Sequence, residues 1–163
     1  MTTDISSTSR ALEWLRALFV APEVAWILAV GGSTLAWPDW WANIGGRLQL
    51  SEWPVLAGLI GLALILLKLT FGQVERISRP DSEARRILVE WPDYWRLALR
   101  LKVTLLYAVG GSILIVLGVT LALADYGHRL PVIACATGLG SQMIAALTSR
   151  YAAWQVREVL DGV

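Results

Sequence analysis

The sequence predicts an all-α membrane protein with four transmembrane helices, and three observations support this fold class. Apolar residues make up 56% of the 163 residues, and the mean hydropathy of +0.56 exceeds that of ordinary soluble chains. Nine tryptophans lie mostly where apolar runs meet charged stretches, as in the aromatic belts of membrane proteins. Basic residues concentrate in alternate connecting segments, which is the asymmetry that cytoplasmic loops show.

Four apolar runs define the predicted spans, at about residues 22–41, 53–71, 103–124 and 131–148. The second and third runs are long and uncharged over most of their length, whereas the first is short for a bilayer that needs roughly 20 residues. A start further back, near Ala17, would place Glu23 in the membrane or at its edge, so this boundary stays open. Before it, the pattern from Arg10 to Val20 predicts an amphipathic helix lying on the membrane.

The distribution of lysine and arginine predicts that both termini are cytoplasmic. Twelve of the basic residues lie in the N-terminal region, in the stretch from Lys68 to Lys102, and in the C-terminal tail. Only Arg47 and Arg129 lie in the two opposite loops. Because lysine and arginine translocate poorly, we expect the basic side to face the cytoplasm, in a bacterial inner membrane.

Matching sequences suggest two repeated helical hairpins. Ala29-Val30-Gly31-Gly32-Ser33 in the first span recurs as Ala108-Val109-Gly110-Gly111-Ser112 in the third. Pro-Val opens the second helix of each half, at Pro54 and Pro131, and Gln-Val follows it, at Gln73 and Gln155. Two parallel repeats about an axis along the membrane normal would explain the pattern, as would chance in a restricted alphabet.

The segment between spans two and three, residues 72–102, predicts a small cytoplasmic helical cap rich in arginine and aromatic residues. Such residues dominate contact energies at protein interfaces, but they also suit anionic lipid headgroups. Both interpretations stay open. The candidate partner or lipid contacts are Arg85, Arg86, Trp91, Tyr94, Trp95 and Arg96.

Small and polar residues within the spans predict helix packing and, less directly, a polar path. Glycines allow close approach of transmembrane helices, where van der Waals contact drives association. Hydroxyl and amide side chains in the fourth span could line a narrow pore or bond neighbouring helices. The packing candidates are Gly31, Gly32, Gly110, Gly111 and Gly138; the pore candidates are Thr137, Ser141, Gln142 and Thr148.

Composition excludes several function classes. The net charge of +1 argues against nucleic acid as a partner. With a single histidine and a single cysteine, the chain shows no catalytic constellation, no metal site and no cofactor motif. We therefore expect a non-enzymatic membrane subunit that forms homo-oligomers, contacts lipids and anchors or scaffolds a soluble cytoplasmic protein. The alternative is a pore-forming or channel-like protein, by analogy of size and topology with holin-like proteins and membrane effectors of anti-phage defence.

Overall fold

The fold is all-helical throughout the residues that the computed structural model describes, which are 7–48, 50, 52–79, 91 and 94–161. Trp37 alone separates the second helix from the third, and a five-residue turn joins the last two. In that turn Asp125 and Gly127 adopt positive φ angles of 53° and 70°, which reverses the chain within a short distance. The helices are α1 (Ser7–Phe19), α2 (Pro22–Ala36), α3 (Pro38–Leu48), α4 (Trp53–Ser78), α5 (Tyr94–Leu123) and α6 (Arg129–Asp161).

Three of the four predicted spans are confirmed as continuous helices that are long and apolar enough to cross a membrane. They are α4, α5 and α6, with 26, 30 and 33 residues. All three continue beyond the predicted spans at the basic end of the bundle. Residues 80–90 and 92–93 of the predicted helical cap lie outside the described residues.

The first predicted span, residues 22–41, is not one helix. Pro38 starts α3, and a proline disfavours helical backbone at the residue before it, so α2 ends at Ala36. With 15 residues, α2 is about 22 Å long, shorter than a hydrocarbon core of about 30 Å. A fourth crossing arises only if α2 joins the last turns of α1 across a bend of 52°, as a broken span or a re-entrant loop.

The antiparallel pair α5 and α6 forms the most extensively packed part of the bundle. A Cβ on Gly111 would lie 2.7 Å from the carbonyl oxygen of Gly138, so the two backbones are in direct contact. About two turns further along α5, the Sγ of Cys135 packs against Gly118 in the same manner. Glycine thus permits this approach because any larger residue would meet backbone or a buried side chain.

Helices α4 and α2 pack on this pair from other sides. The first half of α4 packs against the second half of α5, where Leu56 and Ala63 meet Ile115 and Val119, so these two helices are antiparallel. Helix α2 runs antiparallel to α6, and Arg129 at the start of α6 donates a hydrogen bond of 2.8 Å to a carbonyl in the last turn of α2. Helix α3 packs against α6, and α1 makes a smaller contact with α5.

At the basic end the three long helices stay packed beyond the predicted spans. We call this part the stem and define it as residues 74–79, 94–101 and 152–161. Its core is the buried cluster of Val74, Ile77, Leu101, Ala152 and Val156, with Trp91 and Tyr94 packed against it. The Tyr94 hydroxyl donates to the Ile77 carbonyl at 3.1 Å, which ties α5 to the end of α4.

Candidate functional site

The most unusual residue of the bundle is Glu23, in the first turn of α2. Its side chain is fully buried, at 0% exposure, and neither carboxylate oxygen has a hydrogen-bond partner. An acidic residue in a helix's first turn is favoured by the helix dipole, which explains its position in the chain but not its burial. Burying an unpaired carboxylate costs several kcal/mol or more, so residues of this kind mark functional sites in membrane proteins.

Trp26, one turn after Glu23, fixes the register between α2 and α6. Its indole N–H donates to the Ala136 carbonyl at 3.3 Å, and its ring covers Gly140, where any side chain would collide with it. Because the helices are antiparallel, Glu23 lies about one turn further along α6, in the direction of Ser141. Ser141 is itself buried, at 1% exposure, and its hydroxyl has no partner.

Gln142 brings α5 to the same level. Its amide N–H group donates to Ser112 Oγ at 2.6 Å and to the Ala108 carbonyl at 3.3 Å. The other half of the amide, Oε1, is buried and has no partner. Tyr107 directly precedes Ala108, so the Tyr107 side chain leaves α5 at the level of Gln142.

Tyr107 links this level to the bend between α1 and α2. Its hydroxyl donates to the Leu18 carbonyl at 2.9 Å, which gives a partner to one of the last carbonyls of α1. Leu18 precedes Glu23 by five residues across this bend, so the Tyr107 hydroxyl and Glu23 belong to the same bend. Glu23, Tyr107, Ser141 and Gln142 therefore form one group, which we call the polar cluster.

The polar cluster contains more acceptors than available donors. The tyrosine hydroxyl, the glutamine N–H group and the indole N–H of Trp26 all donate to other oxygens. The unpartnered atoms are the two oxygens of Glu23, Ser141 Oγ and Gln142 Oε1. The sequence predicted Glu23 in the membrane or at its edge if the first span begins near Ala17. Its position three residues before Trp26 was the available signal, but its burial depends on how α2 packs.

The predicted pore residues do not share one surface. Ser141 and Gln142 lie inside the chain's own bundle, facing α2 and α5. Thr137 is half-buried and donates to the Ile133 carbonyl of its own helix at 2.8 Å. Thr148 is half-buried and lies almost two turns beyond Ser141 along α6. The structure thus brings two of the four into the polar cluster.

The predicted packing glycines also divide into two groups. Gly111 and Gly138 lie face to face between α5 and α6. A Cβ added to Gly31, Gly32 or Gly110 would have no neighbouring atom within 4 Å.

Four of the six predicted contact residues fall within the described residues, in or next to the stem. Trp91 and Tyr94 pack inward against its core. Trp95 and Arg96 are exposed, and the Arg96 guanidinium lies 5.7 Å from the centre of the Trp95 ring. Arg85 and Arg86 lie outside the described residues.

Cys135 and His128, two residues with reactive side chains, both pack against other parts of the fold. Cys135 is buried and forms no disulfide. The backbone of His128, in the turn between α5 and α6, packs tightly against Gly45 of α3. Among the described residues, no group of three or more His, Cys, Asp or Glu side chains could hold a metal ion.

Comparison of the chain with models of known protein families, with curated proteins and with solved structures finds no match. Its function therefore has to be inferred from its own geometry and chemistry.

Proposed function

We propose that the protein is a membrane subunit without catalytic chemistry of its own, which forms homo-oligomers and anchors a soluble cytoplasmic protein through the stem. The observation that carries this proposal is that α5 and α6 are much longer than the hydrocarbon core of a bilayer. At 1.5 Å per residue, α5 and α6 measure about 45 and 50 Å, against a hydrocarbon core of about 30 Å. The excess is packed around the core of the stem.

A packed extension of this kind supports docking better than it supports lipid binding alone. An amphipathic segment that only binds headgroups lies flat and keeps its apolar face in the membrane. The stem instead buries its apolar residues between its own three helices and presents basic and aromatic side chains outward. The exposed aromatic residues in or next to the stem include Trp95 and the neighbouring pair of Tyr151 and Trp154, whose rings are 5.8 Å apart.

The topology that fits this proposal has four crossings, with both termini in the cytoplasm of a bacterial cell. In this topology α1 and α2 together form the first crossing, broken at the bend, and α3 lies at the opposite surface. Arg76, Arg79, Arg100, Lys102 and Arg157 then all lie at the stem end, in agreement with the positive-inside rule.

Homo-oligomer formation has its own support in α2. The glycines of α2 are exposed, yet the matching Gly111 of α5 is covered by Gly138. Small residues on an uncovered face allow a helix of another copy to approach closely. A second copy of this chain is therefore the occupant that we propose for the glycine face of α2, defined as Gly31 and Gly32.

The docking proposal can be tested by native mass spectrometry of the protein gently extracted from its own membranes. We expect a complex that contains a second, soluble polypeptide. The double variant Trp95→Ala, Arg96→Glu should lose this polypeptide, whereas Trp37→Ala, an exposed tryptophan at the other end of the bundle, should keep it. A wild-type chain found only with itself or with lipid would contradict the proposal.

A second candidate function is an ion-conducting protein, and the polar cluster favours it. Its buried oxygens lie among the helices of one chain, so a path would run inside each bundle and not along a shared axis. Flux across liposomes distinguishes the two functions. Conduction that Ser141→Leu abolishes, and that the stem double variant leaves unchanged, would support the second candidate.

A further inference from the structure

We propose that the polar cluster is a binding site for a monovalent metal cation, held by Glu23, Ser141 and Gln142 at the bend between α1 and α2. This site goes beyond the anchoring function, because a docked partner on the stem would not require it. The case rests on the oxygen atoms that the fold leaves without partners, on the charge of the site and on its place in the bundle.

The first step is the set of unpartnered oxygens. Five buried side-chain oxygen or nitrogen atoms of the described residues lack a hydrogen-bond partner, and all five are oxygens. Four belong to Glu23, Ser141 and Gln142, and the fifth is Oε2 of Glu13 in α1. Buried polar atoms are nearly always paired in folded proteins, and a ligand that carries positive charge would satisfy several unpaired oxygens at one level.

The second step is that neighbouring donors cannot satisfy all of these oxygens, because only the Ser141 hydroxyl is still free to donate a hydrogen bond. Tyr107 donates to the Leu18 carbonyl, and Trp26 donates to the Ala136 carbonyl. The Gln142 N–H group already donates to two oxygens of α5, which directs its Oε1 away from them. Carboxylate, amide and hydroxyl oxygens are the ligands that hard cations prefer.

The third step is the charge. Glu23 is fully buried and makes no ion pair, so a bound cation would compensate the charge that burial disfavours. One carboxylate balances one positive charge. A divalent ion would leave an excess charge in apolar surroundings, and the described residues offer no cluster of acidic or histidine ligands for it.

The fourth step is the broken helix. At a break inside a membrane, the carbonyl end of the first half carries partial negative charge, and such ends hold cations in proteins with discontinuous helices. Here α1 ends at Phe19 and α2 begins at Pro22, next to Glu23. Tyr107 lies five residues, about 7.5 Å, beyond the exposed Lys102 on α5. The polar cluster therefore lies nearer the basic end of the bundle than the opposite end.

The test is thermal unfolding of the full chain in detergent, at constant ionic strength in chloride salts of sodium, potassium or N-methylglucamine. We expect sodium or potassium to raise the Tm saturably, by about 3 to 6 °C at ten times the dissociation constant, and the bulky cation to have no such effect. Glu23→Gln should remove the rise. Glu75→Gln, an exposed carboxylate of the stem, should keep it.

Ser141→Ala keeps the test decisive if Glu23→Gln does not fold. It retains the carboxylate but removes one oxygen, so the cation concentration at half-maximal Tm rise should increase severalfold. Three results would overturn the proposal: a wild-type Tm that is equal in the three salts, a rise that persists in Glu23→Gln, or an unchanged midpoint in Ser141→Ala. Equal wild-type values together with a fully stable Glu23→Gln would identify Glu23 as a permanently protonated carboxyl group.

Discussion

The two hairpins, α2 with α4 and α5 with α6, carry matching sequences but pack them differently. In α5 the second glycine of the repeated motif, Gly111, lies against the backbone of Gly138. Its counterpart in α2, Gly32, has no neighbouring atom within 4 Å. The same five residues thus form a helix contact in one hairpin and an uncovered surface in the other.

The serine that ends the motif has the same role in both hairpins. Ser33 accepts a hydrogen bond of 3.2 Å from the Trp41 indole, and Ser112 accepts one of 2.6 Å from the Gln142 amide. Each serine also donates to a carbonyl of its own helix. In each case the donor lies in the next helix along the chain.

The connections explain why the glycines differ. Five residues join α5 to α6, a length that makes consecutive helices antiparallel neighbours, whereas 16 residues including α3 separate α2 from α4. Helix α3 lies in the connection where the other hairpin has a short turn. Helix α2 packs on α6 and not on α4, its own hairpin partner. A repeated motif therefore determines local bonding, while the length of the connection determines which helix covers it.

The largest expected difference between the hairpins comes from leucine at the two equivalent glycines. Gly111→Leu should lower the free energy of unfolding by about 3 kcal/mol, because the new side chain meets the Gly138 backbone and Gln142. Gly32→Leu should change it by less than about 1 kcal/mol, because the space is open. Unfolding in detergent, followed by circular dichroism, measures both. Equal losses would mean that α2 is packed as α5 is.

Residue patterns predicted the parts of the fold that depend on composition. The spans at 53–71, 103–124 and 131–148 lie within α4, α5 and α6, because an uncharged run is itself the condition for a membrane helix. The helices extend beyond these spans at the basic end, where packing around the core of the stem holds them together. Pro38 indicated a break in the first span, but the apolar residues on both sides of it led to the prediction of one span over residues 22–41.

The candidate site was predicted less completely, because its residues come from three helices. Ser141 and Gln142 were recognised as unusual polar residues in an apolar run. Their grouping with Glu23 depends on the register between α2 and α6, which Trp26 sets by its position over Gly140. No spacing along the chain encodes that contact.

The second prediction concerns the stem, to which each hairpin contributes the valine that follows its repeated glutamine. Val74 and Val156, the repeated valines after glutamine, are each 7% exposed and belong to one buried cluster. Replacing either with alanine should lower the free energy of unfolding by about 2 kcal/mol, because each leaves a cavity in a shared core. Chemical unfolding of the two single variants and the double variant measures this.

The double variant sharpens this comparison. Since both valines border the same cluster, the combined loss should differ from the sum of the single losses by at least about 0.5 kcal/mol. Single losses that differ more than threefold would show that the symmetry of the repeat does not extend to the stem.

The third prediction removes the side-chain donor to each repeated serine. Gln142→Met and Trp41→Phe should each cost about 0.5 to 1.5 kcal/mol, the range measured for side-chain hydrogen bonds between membrane helices. The companion variants Ser112→Ala and Ser33→Ala remove the acceptors, so double-mutant cycles isolate the two bonds. A coupling energy near zero in either hairpin would contradict the equivalence of the serines.

The smallest effect on folding, and the most informative one for function, is expected at the uncovered glycine face of α2. If a second copy packs on this face, Gly32→Leu should weaken self-association about tenfold while leaving the unfolding of the monomer almost unchanged, because leucine would hold the two backbones apart. Gly58→Leu, the same change at an uncovered glycine of α4, is the matched control and should leave association intact. Sedimentation equilibrium in density-matched detergent measures both. If the two variants weaken association equally, or neither does, copies of the chain meet through another surface, and the difference between the hairpins reflects the long connection through α3 alone.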